Sequence, residues 1–258
     1  EIPVEFQETV LRDCAELGKE LIVESRCEQL TEEKLAWATS INSTFTVAIG
    51  LEAYDDEVLR FHVNKGFTTK SWDRAVANLE KFNLRIKTYL MFKPPFMNEA
   101  DALDHCVKWI GAVAERSDEI SVNPMNIQRG TVIDRLHRHN EYRPPWLWSL
   151  VEMIRQAHPL IHPEGGVNGD SDQVSRLIVH PTAGGKIRGS HNCGACDAEV
   201  VAAIERYAVS GSLLEFDGLS CECETVWRNE VDLERKLPLP LGLSKPRRGS
   251  VIERLRSP

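Results

Sequence analysis

The chain has 258 residues, a formal net charge of −8 and 42% hydrophobic residues, enough for one large α/β domain or two small ones. The negative net charge excludes a positive electrostatic potential over the whole surface. We therefore expect no DNA partner and only local contacts with RNA. No apolar run is long enough to cross a bilayer, no signal peptide opens the sequence, and the cysteines are not spaced as a disulfide framework. We therefore expect a cytoplasmic protein with reduced thiols and no membrane partner.

Short apolar runs alternate with helical segments along most of the chain. The runs predict strands at residues 20–25, 45–52, 84–92, 119–127 and 176–182. The helical patterns cover residues 5–18, 31–41, 71–82, 98–116, 146–158 and 197–211. Thr31 and Ser71 are predicted helix N-caps, and Gly18 is a predicted C-cap.

Strands that are apolar throughout and alternate with helices indicate a parallel sheet covered on both faces. The repeating unit, and the absence of GxGxxG after any strand, favour a TIM barrel or partial barrel over a dinucleotide-binding fold. We predict an α/β partial barrel over residues 1–160, a C-terminal extension over 161–235, and a Pro-rich then basic tail over 236–258.

Polar and charged residues follow the predicted strands, where barrels carry their chemistry. They are Glu24, Ser25 and Arg26; Gly50 and Glu52; Lys93; and Asn123, Asn126 and Gln128. Glu24 and Arg26 lie on one side of an extended segment and match the α-ammonium and α-carboxylate of a zwitterion. Taken alone, an ordinary salt bridge explains that pair better.

Four of the seven cysteines form two tight pairs. Cys193 and Cys196 are spaced C-x2-C, and after 24 residues Cys221 and Cys223 are spaced C-x-C. Two close pairs bring four thiolates to one metal at low entropic cost, so a metal site is favoured over unrelated buried thiols. Zinc is the default for such a site, and an iron–sulfur cluster is the alternative with the same ligands.

Seven segments carry a joint pattern: VESR, AIGLEAYDDEVLRFHVNKGFT, YLMFKPPF, VNPMNIQRGT, RPPWLWS, HNCGACD and LSCECETVW. Together, over about residues 1–228, they resemble the radical S-adenosylmethionine (SAM) subunit of archaeosine synthase. That family is grouped with the radical SAM enzymes similar to the catalytic subunit of elongator.

The resemblance implies a partial TIM barrel of the radical SAM type that uses a 4Fe-4S cluster and SAM. In this family the reduced cluster cleaves SAM to a 5′-deoxyadenosyl radical. A partner subunit transfers lysine to the preQ0 base at position 15 of archaeal tRNA. The radical enzyme then cleaves a C–N bond of that lysine and leaves the formamidine of archaeosine. The implied partners are therefore tRNA and the lysine-transferring subunit.

The resemblance also implies roles for single residues. Glu24 and Arg26 hold the amino-acid end of SAM, and Gly50, Glu52 and Asn64 line its ribose and adenine side. The implied cofactor-binding set is Glu24, Ser25, Arg26, Gly50, Glu52 and Asn64. The implied substrate-side set is Lys93, Asn123, Asn126 and Gln128.

One departure from the family concerns its radical cluster, which is held by C-x3-C-x2-C near the first strand. No such spacing occurs here, because Cys14, Cys27 and Cys106 are isolated. The sequence opens EIPVE without Met, so we expect the first two strands and the cluster motif to precede it and the chain alone to be inert. The four C-terminal cysteines have the wrong spacing for that cluster, and are expected to hold zinc or an auxiliary cluster.

Two other functions compete with this interpretation. The first is a zinc-stabilised module that binds tRNA through the GGKIRG loop, the cysteine site and the basic tail. The second is another radical SAM enzyme with a different substrate. A hydrolase is poorly supported because no G-x-S-x-G elbow is present.

Overall fold

A computed structural model describes residues 2–162 and 175–237 of the chain. Five strands form one parallel sheet in the sequential order β1-β2-β3-β4-β5. They are β1 Ile22–Ser25, β2 Thr46–Glu52, β3 Arg85–Phe92, β4 Glu119–Pro124 and β5 Arg176–Val179. An unbroken sequential order belongs to a barrel wall, because a doubly wound sheet reverses its order. The predicted α/β partial barrel is confirmed.

One helix precedes the first strand, and helices follow each strand along the chain. They are α1 Val4–Glu16, α2 Glu32–Ile41, α3 Asp56–Val58, α4 Thr69–Lys81, α5 Glu99–Ala114, α6 Val132–Arg138, α7 Leu147–Ile161, α8 Asp197–Ser210 and α9 Glu222–Lys236. A π-helical turn, Leu59–Val63, continues α3, and 3₁₀ turns cover Cys27–Gln29 and Leu213–Phe216. None of the helices described here is long and apolar enough to span a membrane.

The helix caps agree with the sequence at two of three positions. Thr31 accepts a hydrogen bond from the Lys34 amide, and Gly18, at φ 58°, follows the last turn of α1. Ser71 is not the cap of α4. Thr68 is the N-cap, and the Ser71 side chain bonds back to the Thr68 amide at 3.4 Å, which completes a capping box.

Three helices, α3, α6 and α9, were not predicted, and α3 is only three residues long. α6 is only seven residues long and begins at the N-cap Thr131. α9 is strongly charged, but its buried residues Cys223, Trp227 and Val231 recur every four positions. That spacing is typical of the buried face of a helix. The many charged residues between these positions make the pattern hard to see in the sequence.

The two faces of the sheet differ in chemistry. The residues of β3 alternate between buried and partly exposed, with Ile86, Thr88, Leu90 and Phe92 in the core. On the other face, Lys87 bonds across to Glu119 of β4, with 2.6 Å between Nζ and Oε1. The apolar runs predicted a sheet that is apolar on both faces. The structure shows that only one face is apolar. Its second face carries the charges that line the barrel interior.

The sheet continues past the predicted boundary at residue 160. β5 pairs with β4, and one buried core extends from Leu11 to Val231. The division into a barrel and an extension stays a prediction. Residues 238–258 of the predicted tail lie outside the described residues.

Candidate functional site

The ends of β1 and β2 meet at the turn formed by residues 64–67. Glu52 is the last residue of β2 and has a φ of 72°. Its Oε1 accepts a hydrogen bond from Lys65 Nζ at 2.8 Å, and both side chains are 20% exposed. A Cβ at position 50 would lie 3.1 Å from both of these atoms, so Gly50 keeps the space above the ion pair open.

Arg26 reaches the same turn from the end of β1. Its guanidinium pairs with Glu28 at 2.6 Å and donates to the Lys65 carbonyl at 3.5 Å. It also lies 5.9 Å from the centre of the Phe67 ring. The hydrogen bond with Glu28 raises the pKa of Arg26. One exposed cation and one partly buried ion pair therefore lie side by side at the C-terminal edge of the sheet.

Glu24 lies on the barrel-interior face and is exposed. It does not pair with Arg26, whose carboxylate partner is Glu28. Burial raises the pKa of the Tyr89 hydroxyl, and the nearby negative charge of Glu24 adds to this shift. Glu24 therefore presents a carboxylate to the interior of the barrel.

Backbone strain is concentrated at the same edge. Five of the seven described non-glycine residues with positive φ lie at the end of β2 or in the segments after β2, β3 and β5: Glu52, Asn64, Lys93, Phe96 and Ala183. Such conformations cost about 1–3 kcal/mol each and cluster at functional sites. Asn64, at φ 56°, ends the π-helical turn, which is a second feature typical of such sites.

The predicted substrate-side residues are placed differently from one another. Lys93 is only 5% exposed and pairs with buried Glu99 at 2.5 Å, so its ammonium does not face an open site. Asn123 is partly buried in β4 opposite Met91. Asn126 and Gln128 follow β4 and bond to each other at 2.6 Å.

The four C-terminal cysteines form a second candidate site. Their sulfur atoms all lie within 4.8 Å of one another. The Cys193–Cys196, Cys193–Cys221 and Cys196–Cys223 sulfur separations are 4.0, 3.7 and 3.6 Å. Four bonds of about 2.3 Å to one tetrahedral ion require sulfur separations of about 3.8 Å. The donor set and its spacing therefore fit a single metal ion.

Two helix N-termini hold this cysteine site. Cys196 is the N-cap of α8 and Cys221 is the N-cap of α9, where the helix dipole stabilises negative charge. The amides of Ala195 and Cys196 lower the pKa of Cys193 to about 7. Burial raises the pKa of Cys196 to about 12.

Side-chain donors from outside the cysteine pairs support the buried sulfurs. The Trp148 indole N–H donates to Cys223 at 3.2 Å, and the Asn192 amide donates to Cys196 at 3.4 Å. Such donors orient thiolate ligands and tune the metal.

Known proteins identify the family. Archaeosine synthase subunit beta of Thermococcus kodakarensis is 31% identical over 237 residues, covering 90% of this chain and 70% of that protein. The chain belongs to the archaeosine synthase subunit beta family. The subunit beta of Methanosarcina acetivorans is 33% identical over 238 residues, covering 91% of this chain and 66% of its own length. The family resemblance in the sequence is confirmed.

Two other proteins are similar to this chain over most of its length. An uncharacterised Methanocaldococcus jannaschii protein is 27% identical over 249 residues, covering 94% of this chain and 65% of that protein. The chain thus spans about two thirds of the length of its curated relatives. The structure of Methanocaldococcus infernus Elp3 with an N-terminal deletion aligns with a TM-score of 0.55 at 16% identity, over 79% of this chain and 43% of that one, which supports the fold. No protein-family model matches the chain.

Several residues of both sites escaped the sequence prediction. Lys65 and Phe67 follow Asn64 but are not in the predicted binding set, and Tyr89 lies inside a strand. Trp148 and Asn192 lie in the segments RPPWLWS and HNCGACD but were not predicted as site residues, although Asn192 directly precedes the first cysteine pair.

Proposed function

We propose that the parent protein is a radical SAM enzyme of tRNA modification. By family, its reaction is cleavage of a C–N bond of the lysine attached to preQ0 at position 15 of tRNA, which forms archaeosine. Its partners are tRNA and the lysine-transferring subunit, and it works in the cytoplasm. Kinship with archaeosine synthase subunit beta at 31–33% identity is the observation that carries this proposal.

The C-terminal edge of β1 and β2 offers groups that fit SAM. Arg26 is exposed, and its planar guanidinium, which here pairs with Glu28, offers donors that suit a carboxylate, while Glu24 offers an acceptor for an ammonium. Gly50, Glu52 and Asn64 line the ribose and adenine side. When bound with a reduced 4Fe-4S cluster, SAM supplies a 5′-deoxyadenosyl radical. Residues of this chain bind and orient the cofactor.

The radical cluster takes its ligands from outside this chain. The seven cysteines include no C-x3-C-x2-C spacing, and four of them converge on a separate point. We propose that the chain alone does not cleave SAM. Asn123, Asn126 and Gln128 follow the same edge and are proposed to face the substrate.

Mass spectrometry of nucleosides tests this function. The parent protein, with its cluster assembled without oxygen, is incubated with SAM, a reductant and tRNA carrying lysine-modified preQ0. We expect the lysine-modified nucleoside to disappear and archaeosine to accumulate. Unchanged nucleoside alongside reductive SAM cleavage in the same sample would mean that the substrate is a different one.

We propose that the four-cysteine site holds one structural zinc ion. Sulfur separations near the edge of a zinc–thiolate tetrahedron support this over an auxiliary 4Fe-4S cluster, which spreads its ligands over four irons. Metal analysis of the purified chain is expected to give one zinc per molecule. Cys196→Ser is expected to lose it, whereas Cys14→Ser, which changes an isolated cysteine, should retain it. Stoichiometric iron and sulfide would contradict the zinc assignment.

A further inference from the structure

A concentration of positive charge lies beside the C-terminal edge of the sheet, although the chain as a whole is acidic. It is formed by the segment after β4, by α6 and by the loop after β5. Its cations are Arg129, Arg135, Arg138, Lys186 and Arg188, which we call the basic ridge. Within residues 125–141 and 180–191 these five cations face two carboxylates, Asp134 and Glu141, whereas the chain carries −8 in total.

Backbone contacts join the two loops of the basic ridge. The Ile127 amide donates to the Arg188 carbonyl at 2.8 Å, and Arg188 Nε donates to the Ile127 carbonyl at 3.0 Å. Residues 61 positions apart in the chain thus form one surface. Because β4 and β5 are parallel neighbours, this surface flanks the edge that carries Asn123 and Asn126.

The buried carboxylate of this region is already neutralised. Asp134 is fully buried and contacts both Arg138 and Arg188, the latter at 2.6 Å. The Gly130 amide also donates to it at 3.0 Å. Two cations facing one carboxylate leave a net positive charge, and Arg138 remains 64% exposed at its side chain.

Exposed cations extend the basic ridge on both sides of this cluster. Arg129 precedes α6 and Lys186 lies in the loop after β5, and both are exposed. Ile187 is 71% exposed beside Lys186. Cations fixed by a buried carboxylate and flanked by long, exposed side chains are suited to a row of phosphates, because phosphate oxygens accept from guanidinium and ammonium groups.

We propose that the basic ridge binds the sugar–phosphate backbone of RNA and directs it to the C-terminal edge of the sheet. This inference rests on the proposed function and identifies the surface that holds the tRNA. A phosphate backbone is favoured over an acidic protein because the two loops that carry these cations are joined beside the strand end that carries the candidate substrate residues. Binding there is sequence-independent and positions the nucleotide that reacts.

Fluorescence anisotropy with a labelled tRNA transcript tests the basic ridge. The variant is Arg129→Ala/Lys186→Ala, which spares the arginines that hold Asp134. The control is Lys19→Ala/Lys108→Ala, which removes the same charge from exposed positions on α-helical and loop surfaces outside the ridge. Thermal unfolding of all proteins confirms that each variant is folded.

The affinity of the wild-type chain for tRNA is expected to fall with salt between about 50 and 200 mM. The ridge variant should bind more weakly and reduce the slope of log affinity against log salt by about 2, roughly one for each phosphate that is no longer neutralised. The control pair should leave this slope unchanged.

Three other results overturn the proposal in distinguishable ways. If the wild type binds tRNA and the ridge variant binds equally well, the surface is wrong and the proposed function stands. If no protein binds tRNA, the inference and the tRNA substrate fail together. If tRNA binding is unchanged but poly-glutamate binding is abolished in the ridge variant, the surface binds an acidic protein.

Discussion

Glu234, in the last turn of α9, accepts a hydrogen bond from the Ala100 amide at the start of α5, with 2.9 Å between the atoms. Four residues earlier, Glu230 accepts from the Trp146 indole at 3.1 Å. The helix that begins at the cysteine site therefore ends against the segment that follows β3. The metal site and the C-terminal edge of the barrel are parts of one packed unit.

Glu234→Ala is expected to lower the free energy of unfolding by about 1–2 kcal/mol, because it leaves a first-turn amide of α5 without an acceptor. Urea denaturation measures the change. Asp232→Ala, at an exposed position of the same helix, is the control and should change stability by less than about 0.5 kcal/mol. Equal stability of the two variants would mean that this hydrogen bond does not anchor α9 to α5.

Lys93→Met is expected to lower the free energy of unfolding by about 3–5 kcal/mol, because Glu99 is left buried without its cation. Lys93→Met/Glu99→Gln should recover much of the loss. Lys87→Met removes a cation from the more exposed pair with Glu119 and should cost less. If Lys93→Met unfolds like the wild type, the ion pair is not structural and a substrate role for Lys93 regains support.

Asp134 makes stability depend on pH in one direction. Its contacts with Arg188, Gly130 and Arg138 hold the pKa of Asp134 well below its usual range. A carboxyl group with a lowered folded-state pKa stabilises the fold above its unfolded pKa, about 3.9, and loses that contribution as pH falls through the folded pKa.

In urea titrations at pH 7, the wild type is therefore expected to have a higher free energy of unfolding than Asp134→Asn. The difference should shrink progressively below about pH 4. A constant difference between pH 7 and pH 3 would show that the charge of Asp134 is not responsible.

Trp148→Phe is expected to weaken metal retention about 10-fold or more, because it removes the indole donor to the Cys223 sulfur. Metal release to a chromogenic chelator measures this effect. Trp227→Phe is the matched control, since its buried indole donates to the Ser149 hydroxyl at 2.7 Å and not to a sulfur. If both variants release the metal at the same rate, the Trp148 indole does not help the site to retain its metal.

The sheet was predictable from sequence because each strand is a compact apolar run between helical segments. β2 and β3 begin and end within one residue of their predictions. The charges of the barrel interior were not predictable in the same way. Lys87 and Glu119 lie at the polar positions of strands whose partners only the register identifies.

The candidate sites were predictable in part. The cysteine spacing indicated a metal site, and the strand ends indicated Arg26 and Glu52. Burial of Lys93 depends on Glu99, whose side chain reaches it from the next helix, and no motif encodes that contact. The Trp148 indole donates to Cys223, which lies 75 residues further along the sequence. Residue spacing cannot predict a contact between positions so far apart in the chain.

Equilibrium binding of SAM to the parent protein, with its cluster assembled, tests the central claim most directly. Arg26→Ala is predicted to raise the Kd about 10-fold or more, because it removes a charge-assisted hydrogen bond of about 1.5–3 kcal/mol to the SAM carboxylate. Arg85→Ala, at the opposite end of the sheet and 62% exposed, should bind like the wild type. Equal Kd values for Arg26→Ala and the wild type would contradict the placement of SAM at the ends of β1 and β2.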